Sequence, residues 1–229
     1  MTNLYNEKKT PVKTWLLPGR KRIIFVLFIA LVLFFFIAWV VFIAGGSSMD
    51  EKIFELIAPH RTASRTSLMK TISFFGNTQF LISANLLLVG IFLFQQQRWS
   101  AITVAVVAIS NVLVMSALKR LFQRQRPIDP LIEGITNYSF PSGHAFMSVA
   151  FYGLLIWFAA ITIKSKWLQR AVIATLLSLI LIIGFSRIYL RVHYTTDVLA
   201  GFTLGFTWLI ISLMTMNRIQ AQKNYYGRQ

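Results

Sequence analysis

Ile23-Ile24-Phe25-Val26-Leu27-Phe28-Ile29-Ala30-Leu31-Val32-Leu33-Phe34-Phe35-Phe36-Ile37-Ala38-Trp39-Val40-Val41-Phe42-Ile43-Ala44 contains no charged side chain. At 1.5 Å per residue, a helix of this length covers the roughly 30 Å hydrocarbon core of a bilayer. Lys21 and Arg22 precede the run, and the small residues Gly45, Gly46, Ser47 and Ser48 follow it, as in a cleavable signal peptide. The run is longer than the 7 to 15 residue core of a signal peptide, so a retained span is predicted. Five further stretches lack Asp, Glu, Lys and Arg: Thr71 to Gln97, Trp99 to Leu118, Gly134 to Ile163, Ala171 to Ser186 and Val198 to Asn217. With the first stretch taken from Ile23 to Met49, they predict an all-α integral membrane protein of six transmembrane helices. The fifth is the shortest. It is expected either to begin near Trp167, with Arg170 snorkelling inward, or to carry Arg187 below the outer headgroups.

Composition agrees with a membrane chain. Of 229 residues, 56% are hydrophobic and 13% charged, against about 25% charged in an ordinary soluble domain. The net charge of +16 would suggest nucleic acid on a soluble domain, but no such domain is present to carry it, and no nucleic-acid partner is predicted. The absence of cysteine excludes disulfides, thiolate nucleophiles and Cys-ligated metals. With the N-terminus inside, the inner segments carry a balance of +12 and the outer ones +4, which satisfies the positive-inside rule. Trp15, Trp99 and Trp167 then lie at inner ends, where interfacial indoles belong.

The outer side still holds cations that the rule disfavours. Lys119, Arg120, Arg124 and Arg126 crowd one loop, and Arg187 and Arg191 another. Taken singly, each is explained by snorkelling from a helix end. The same two loops, however, hold His144, His193 and Asp197, while the third histidine, His60, reads as a solvated loop residue. Lys119 and Arg126 are seven apart, so they share one face if the third helix runs to its stop before Pro127. Ser142 is a candidate N-cap for the fourth helix, and Gly143 lets an anion approach the exposed N–H groups there, with His144 beside it. His193 and Asp197 are spaced i, i+4 at the start of the sixth helix; the carboxylate can accept from one imidazole nitrogen and leave the other free as a nucleophile.

Together these segments read Lys-x6-Arg-Pro, Pro-Ser-Gly-His and Ser-Arg-x5-His-x3-Asp. In this order, and within a six-helix layout from about residue 23 to 217, the chain resembles the type 2 phosphatidic acid phosphatase family. The resemblance implies that His193 attacks phosphorus to form a phosphohistidine and that Asp197 fixes its tautomer. His144 protonates the departing oxygen and later activates water. It further implies that Lys119, Arg126 and Arg187, with the backbone donors of Ser142 and Gly143, hold the phosphoryl oxygens without a metal or other cofactor. No spare cluster of carboxylates and histidines remains for a metal. A site at the outer helix ends, open to the bilayer, implies a membrane lipid phosphate or diphosphate as substrate, with phosphatidylglycerophosphate, phosphatidic acid and undecaprenyl diphosphate as candidates.

Competing readings are a lipid transporter or anion channel that attracts headgroups, phosphoryl transfer to an acceptor other than water, and vanadate-dependent oxidation on a similar anion site. A carrier would need no nucleophile paired to a carboxylate, and it would place charge nearer the midplane. Between the first two spans, Ser48 and Glu51 fit a capping box before Ile53, Phe54, Leu56 and Ile57, and Pro59 closes the stretch. This extracytoplasmic amphipathic segment is expected to lie on the membrane surface, as a lid, a lipid-access element or a simple connector. Gly201-x3-Gly205 reads as a helix-packing pattern. The chain thus divides into a basic cytoplasmic segment 1–22, a membrane phosphatase domain 23–217 and a basic cytoplasmic tail 218–229. The sequence carries no signal for an oligomeric state.

Overall fold

A computed structural model describes residues 19–44 and 48–226. The orienting residues Lys8, Lys9, Lys13, Trp15 and Arg228, and the small residues Gly45, Gly46 and Ser47, lie outside the described residues. Regular structure among the described residues is helical throughout. The elements are α1 (Arg20–Phe42), α2 (Ser48–Ile57), a 3₁₀ turn (Ala58–His60), α3 (Ala63–Phe74), α4 (Thr78–Phe94), α5 (Arg98–Phe122), α6 (Gly143–Thr162), α7 (Lys166–Tyr189) and α8 (Thr195–Tyr226). By length and apolarity α1, α5, α6, α7 and α8 each suffice to cross a bilayer, and α3 with α4 makes a sixth span if that bent pair is taken as one. Large apolar side chains such as Phe25, Leu86, Leu113 and Leu181 stand exposed on these helices, as a lipid-facing surface requires.

The bundle is built around α6, which packs against α4, α5, α7 and α8, while α1 lies along α8 and α3 along α7. Small residues bring α6 and α8 together. A Cβ on Gly201 would sit 2.7 Å from the Ser142 carbonyl oxygen, and one on Gly205 would sit 2.7 Å from that of Phe146. The expected packing role of the Gly201-x3-Gly205 pattern is what the fold shows, since only glycine allows the backbones so close. At one end of the bundle Phe34, Phe42, Phe122 and Phe140 form an aromatic knot, with Phe122 and Phe140 ring centres 5.0 Å apart. The knot ties α1, the end of α5 and the approach to α6 into one body.

Several boundaries differ from the sequence expectation. The second apolar stretch is not one straight helix: α3 and α4 meet at a 41° bend across residues 75–77. Gly76 lies hard against α7, where a Cβ would stand 2.5 Å from Ile183 Cγ2, and Asn77 restarts the chain by accepting from the Gln79 N–H. The third helix stops at Phe122 rather than before Pro127, because Gln123 takes a left-handed conformation (φ 46°) and returns its N–H to Lys119. Lys119 and Arg126 therefore do not share a helical face. The fifth helix begins at Lys166, beside Trp167 as expected, and runs past Arg187 to Tyr189. His193 precedes α8 instead of standing on it. The Ser48–Ile57 helix does not simply rest on a surface: its Asp50 and Phe54 are buried against the bundle.

Candidate active site

The C-terminal ends of α5 and α7 and the N-terminal ends of α6 and α8 come together at one end of the bundle. There a cavity of about 550 Å³ is lined by Lys119, Arg126, Gly143, His144, Arg187 and His193, joined by Ser73, Asn77 and Asn137. The sequence-predicted residues thus converge, though partly by routes other than those expected. Lys119 reaches the cavity from the last turn of α5. Arg126 reaches it from the loop that follows, and both are held by the same neighbours. Lys119 Nζ donates to Asn137 Oδ1 at 3.2 Å and to the Tyr138 carbonyl at 2.9 Å; Arg126 donates to Asn137 Oδ1, to the Asn137 carbonyl at 2.7 Å and to the Val192 carbonyl.

A tight C-terminal turn positions His193. Arg191 is left-handed (φ 56°), and the Val192 and His193 N–H groups fold back onto the Arg187 carbonyl at 3.1 and 3.3 Å. This closure satisfies helix-end acceptors and sets His193 beside the cation six residues earlier. His193 is 1% exposed. Its Nε2 lies 3.3 Å from Arg126 Nη1, and its Nδ1 lies 3.5 Å from both Ser139 Oγ and Asp197 Oδ2. An arginine offers only donors, so these neighbours favour hydrogen on Nδ1 and a lone pair on Nε2. Burial, and then the positive charges of Arg126, Arg187 and Lys119, hold the His193 imidazole well below its ordinary pKa, with a weaker opposing pull from Ser139. The ring is therefore neutral at pH 7. Burial also draws the Arg126 guanidinium down to about 10, opposed by Asp197, which leaves it charged.

Asp197 is fully buried in the first turn of α8. It accepts from Ser139 Oγ, from the Tyr194 N–H at 2.9 Å and from Arg124 Nη1 at 2.5 Å. Ser142 occupies the N-cap of α6 as expected, but its N–H is engaged by the Asp197 carbonyl at 2.9 Å and its buried Oγ has no partner. Of the two backbone donors predicted there, Gly143 alone lines the cavity. Arg187 is 4% exposed; Nη1 donates to Ser73 Oγ, while Nε has no partner. Among the described residues, no three His, Asp or Glu side chains converge as a metal site.

The profile of the PAP2 superfamily matches residues 100–221, more than half of the chain. The chain belongs to the PAP2 superfamily. Within it, the chain is 28% identical over 180 residues to phosphatidylglycerophosphatase B of Bacillus subtilis, covering 77% of this chain and 88% of that protein. It is likewise 28% identical over 195 residues to an undecaprenyl-diphosphatase of Sulfolobus acidocaldarius, covering 79% and 86%. Its fold is that of the crystal structure of a transmembrane PAP2-type phosphatidylglycerolphosphate phosphatase from Bacillus subtilis, with a TM-score of 0.78 and 23% identity over 85% of this chain and 98% of the other. Aquifex aeolicus LpxE gives a TM-score of 0.58 at 24% identity, over 73% and 96%. This PAP2 chain is thus a multi-pass membrane protein of a phosphatase family.

Five residues around the PAP2 site escaped the sequence reading: Asp50, Ser73, Arg124, Asn137 and Ser139. Asn137 and Ser139 lie in the loop between two motifs, where nothing in their spacing distinguishes them. Asp50 and Ser73 come from α2 and α3, before the matched region. In the sequence Arg124 is one of several crowded cations, and the fold makes it the residue that pairs with Asp197. A cation that must end up beside a buried carboxylate was the available signal.

Proposed function

We propose that this chain hydrolyses lipid phosphates or diphosphates through a phosphohistidine, without a metal. The carrying observation is that one cavity gathers two imidazoles and three cations, and that a buried carboxylate backs one of the imidazoles. Lys119, Arg126 and Arg187 hold the phosphoryl oxygens, aided by the Gly143 N–H. Three fixed positive charges can neutralise the dianion and the charge spread over its transition state. His193 Nε2 forms the N–P bond as the P–O bond to the leaving group breaks, and His144 gives its proton to that oxygen. His144 then takes a proton from water, whose oxygen attacks phosphorus; the N–P bond breaks, and phosphate and the neutral His193 are restored. Asp197 orients the ring from the Nδ1 side throughout.

The cavity wall supports a lipid substrate. Val112, Met115, Ile132, Ile135 and Met147 line it on the apolar side. Thr78, Val112 and Met147 also line a shallow groove of about 30 Å³ that continues along Leu81, Ile82, Asn85, Val107, Asn111 and Phe151 between α4, α5 and α6. The start of an alkyl tail can lie along that apolar wall while its phosphate meets the cations. In the bilayer the chain makes six spans within a phosphatase domain 23–217. The termini are cytoplasmic, and the site opens on the extracytoplasmic side, as the charge balance requires. Purified protein presented with phosphatidylglycerophosphate, phosphatidic acid and undecaprenyl diphosphate should release phosphate from at least one, with no activity in His193→Ala. Equal turnover by wild type and His193→Ala would overturn the proposal.

A further inference from the structure

Asp50 stands in α2, in a segment that carries none of the three motifs, and is 2% exposed. It lines no part of the cavity. A carboxylate this deeply buried needs partners, and those of Asp50 lead directly to the site. Oδ1 accepts from the Thr196 N–H at 2.9 Å; Oδ2 accepts from Thr196 Oγ1 at 2.7 Å and from Arg124 Nη2 at 3.1 Å. The same guanidinium donates through Nη1 to Asp197 Oδ1 at 2.5 Å and to Thr196 Oγ1 at 2.8 Å, and it lies 4.0 Å over the Tyr194 ring. Two buried carboxylates therefore share one arginine, which leaves the trio with a net negative charge. Phe54, one turn further along α2, is buried with Ala145, Ile188 and Val198, and Arg191 lies 5.3 Å over its ring. This anchors the helix that carries Asp50.

We propose that Asp50 is a positioning residue for His193, acting through Arg124 and Asp197. This rests on His193 being the nucleophile. If Arg124 faced Asp197 alone, its full charge would weaken that carboxylate as an acceptor for the imidazole. By taking half of the guanidinium, Asp50 leaves Asp197 enough negative charge to support the positive charge that grows on the ring as Nε2 bonds phosphorus. The other groups around His193 oppose it: Lys119 on α5, Arg187 on α7 and Arg126 in the loop are cationic, and His144 lies opposite on α6. The Asp197–Arg124–Asp50 trio is the counterweight to that field.

The test is the pH profile of kcat/KM for the full-length protein in detergent, with p-nitrophenyl phosphate and a lipid phosphate as substrates. In Asp50→Asn the acid limb should move down by about one pH unit, the scale of one charge acting over about 10 Å at an effective dielectric of about 20. kcat should fall about tenfold, with KM nearly unchanged, because Asp50 touches no substrate. Arg124→Gln removes the opposite charge and should move the acid limb up by a similar amount; adding Asp50→Asn to Arg124→Gln should move it back down, which reads the role of Asp50 if Asp50→Asn alone fails to fold. A slower Asp50→Asn enzyme with an unmoved acid limb, or a rise in KM at constant kcat, overturns the positioning role and leaves the phosphatase proposal standing. A wild type without turnover of either substrate overturns both.

Discussion

Gly201→Ala adds one methyl group at the contact on which the site's geometry depends. The new Cβ would lie 2.7 Å from the Ser142 carbonyl oxygen and 2.9 Å from Ala145 Cβ. Ordinary contact is about 3.5 Å or more, so α8 and the start of α6 must separate by about half to one ångström. Both neighbours are backbone or Cβ atoms, which cannot swing aside. Overpacking of this kind costs about 1–3 kcal/mol, and for a chain of this size that lowers Tm by roughly 2–12 °C. The separation also moves Gly143 and His144, on α6, away from Asp197 and the His193 it backs. A misplacement of about 1 Å can slow a reaction about 10²-fold, so kcat should drop by one to two orders of magnitude. Gly90→Ala is the matched control: nothing lies within 4 Å of a Cβ there, and relief of glycine's entropy in a helix should leave Tm unchanged or raise it by the equivalent of about 0.5–1 kcal/mol. Thermal unfolding in detergent and phosphate release would be measured for both. Wild-type kcat and Tm in Gly201→Ala, or equal damage from Gly90→Ala, would refute the packing argument.

Three further outcomes follow from the proposed chemistry. An impermeant thiol reagent should label Arg120→Cys in intact cells and Arg98→Cys only after lysis, in a chain that has no cysteine of its own; the reverse pattern would place the cavity on the cytoplasmic side. Activity should survive excess EDTA, and orthovanadate should compete with substrate, whereas loss in chelator with recovery on magnesium would show that the three cations do not suffice. His144→Ala should slow lipid monoester turnover by about 10² to 10⁴ but barely reduce the nitrophenolate burst from p-nitrophenyl phosphate, whose leaving group needs no proton; equal losses would remove the proton-donor role.

Motif residues were readable in the sequence because their chemistry is conspicuous. Cations, histidines and an aspartate at the ends of apolar spans stand against the surrounding pattern. The route by which they meet was not readable. Lys119 and Arg126 converge through the left-handed Gln123 and the acceptors of Asn137 and Tyr138, and a seven-residue spacing on a helix suggested the right company for the wrong reason. The Ser142 N–H is spent on the Asp197 carbonyl, a pairing between segments 55 residues apart that no local pattern encodes. The bend between α3 and α4 falls where Gly76 approaches Ile183, a tertiary contact hidden inside an unbroken apolar run. Asp50 lies in a segment whose apolar residues Ile53, Phe54, Leu56 and Ile57 suggest a surface helix, and nothing in that pattern marks the carboxylate. Its burial becomes visible only when Arg124 and Thr196 surround it.

The central claim is a covalent phosphoryl group on His193, and rapid-quench labelling addresses it directly. Wild-type protein mixed with a ³²P-labelled lipid phosphate should yield an acid-labile, base-stable label within the first turnover. That label should map to the peptide containing His193; with ³²P-labelled p-nitrophenyl phosphate, whose leaving group needs no proton, it should accumulate further in His144→Ala, where water activation is slowed. Label on His144, or a nitrophenolate burst from wild-type protein with no phosphate bound to His193, would contradict the mechanism.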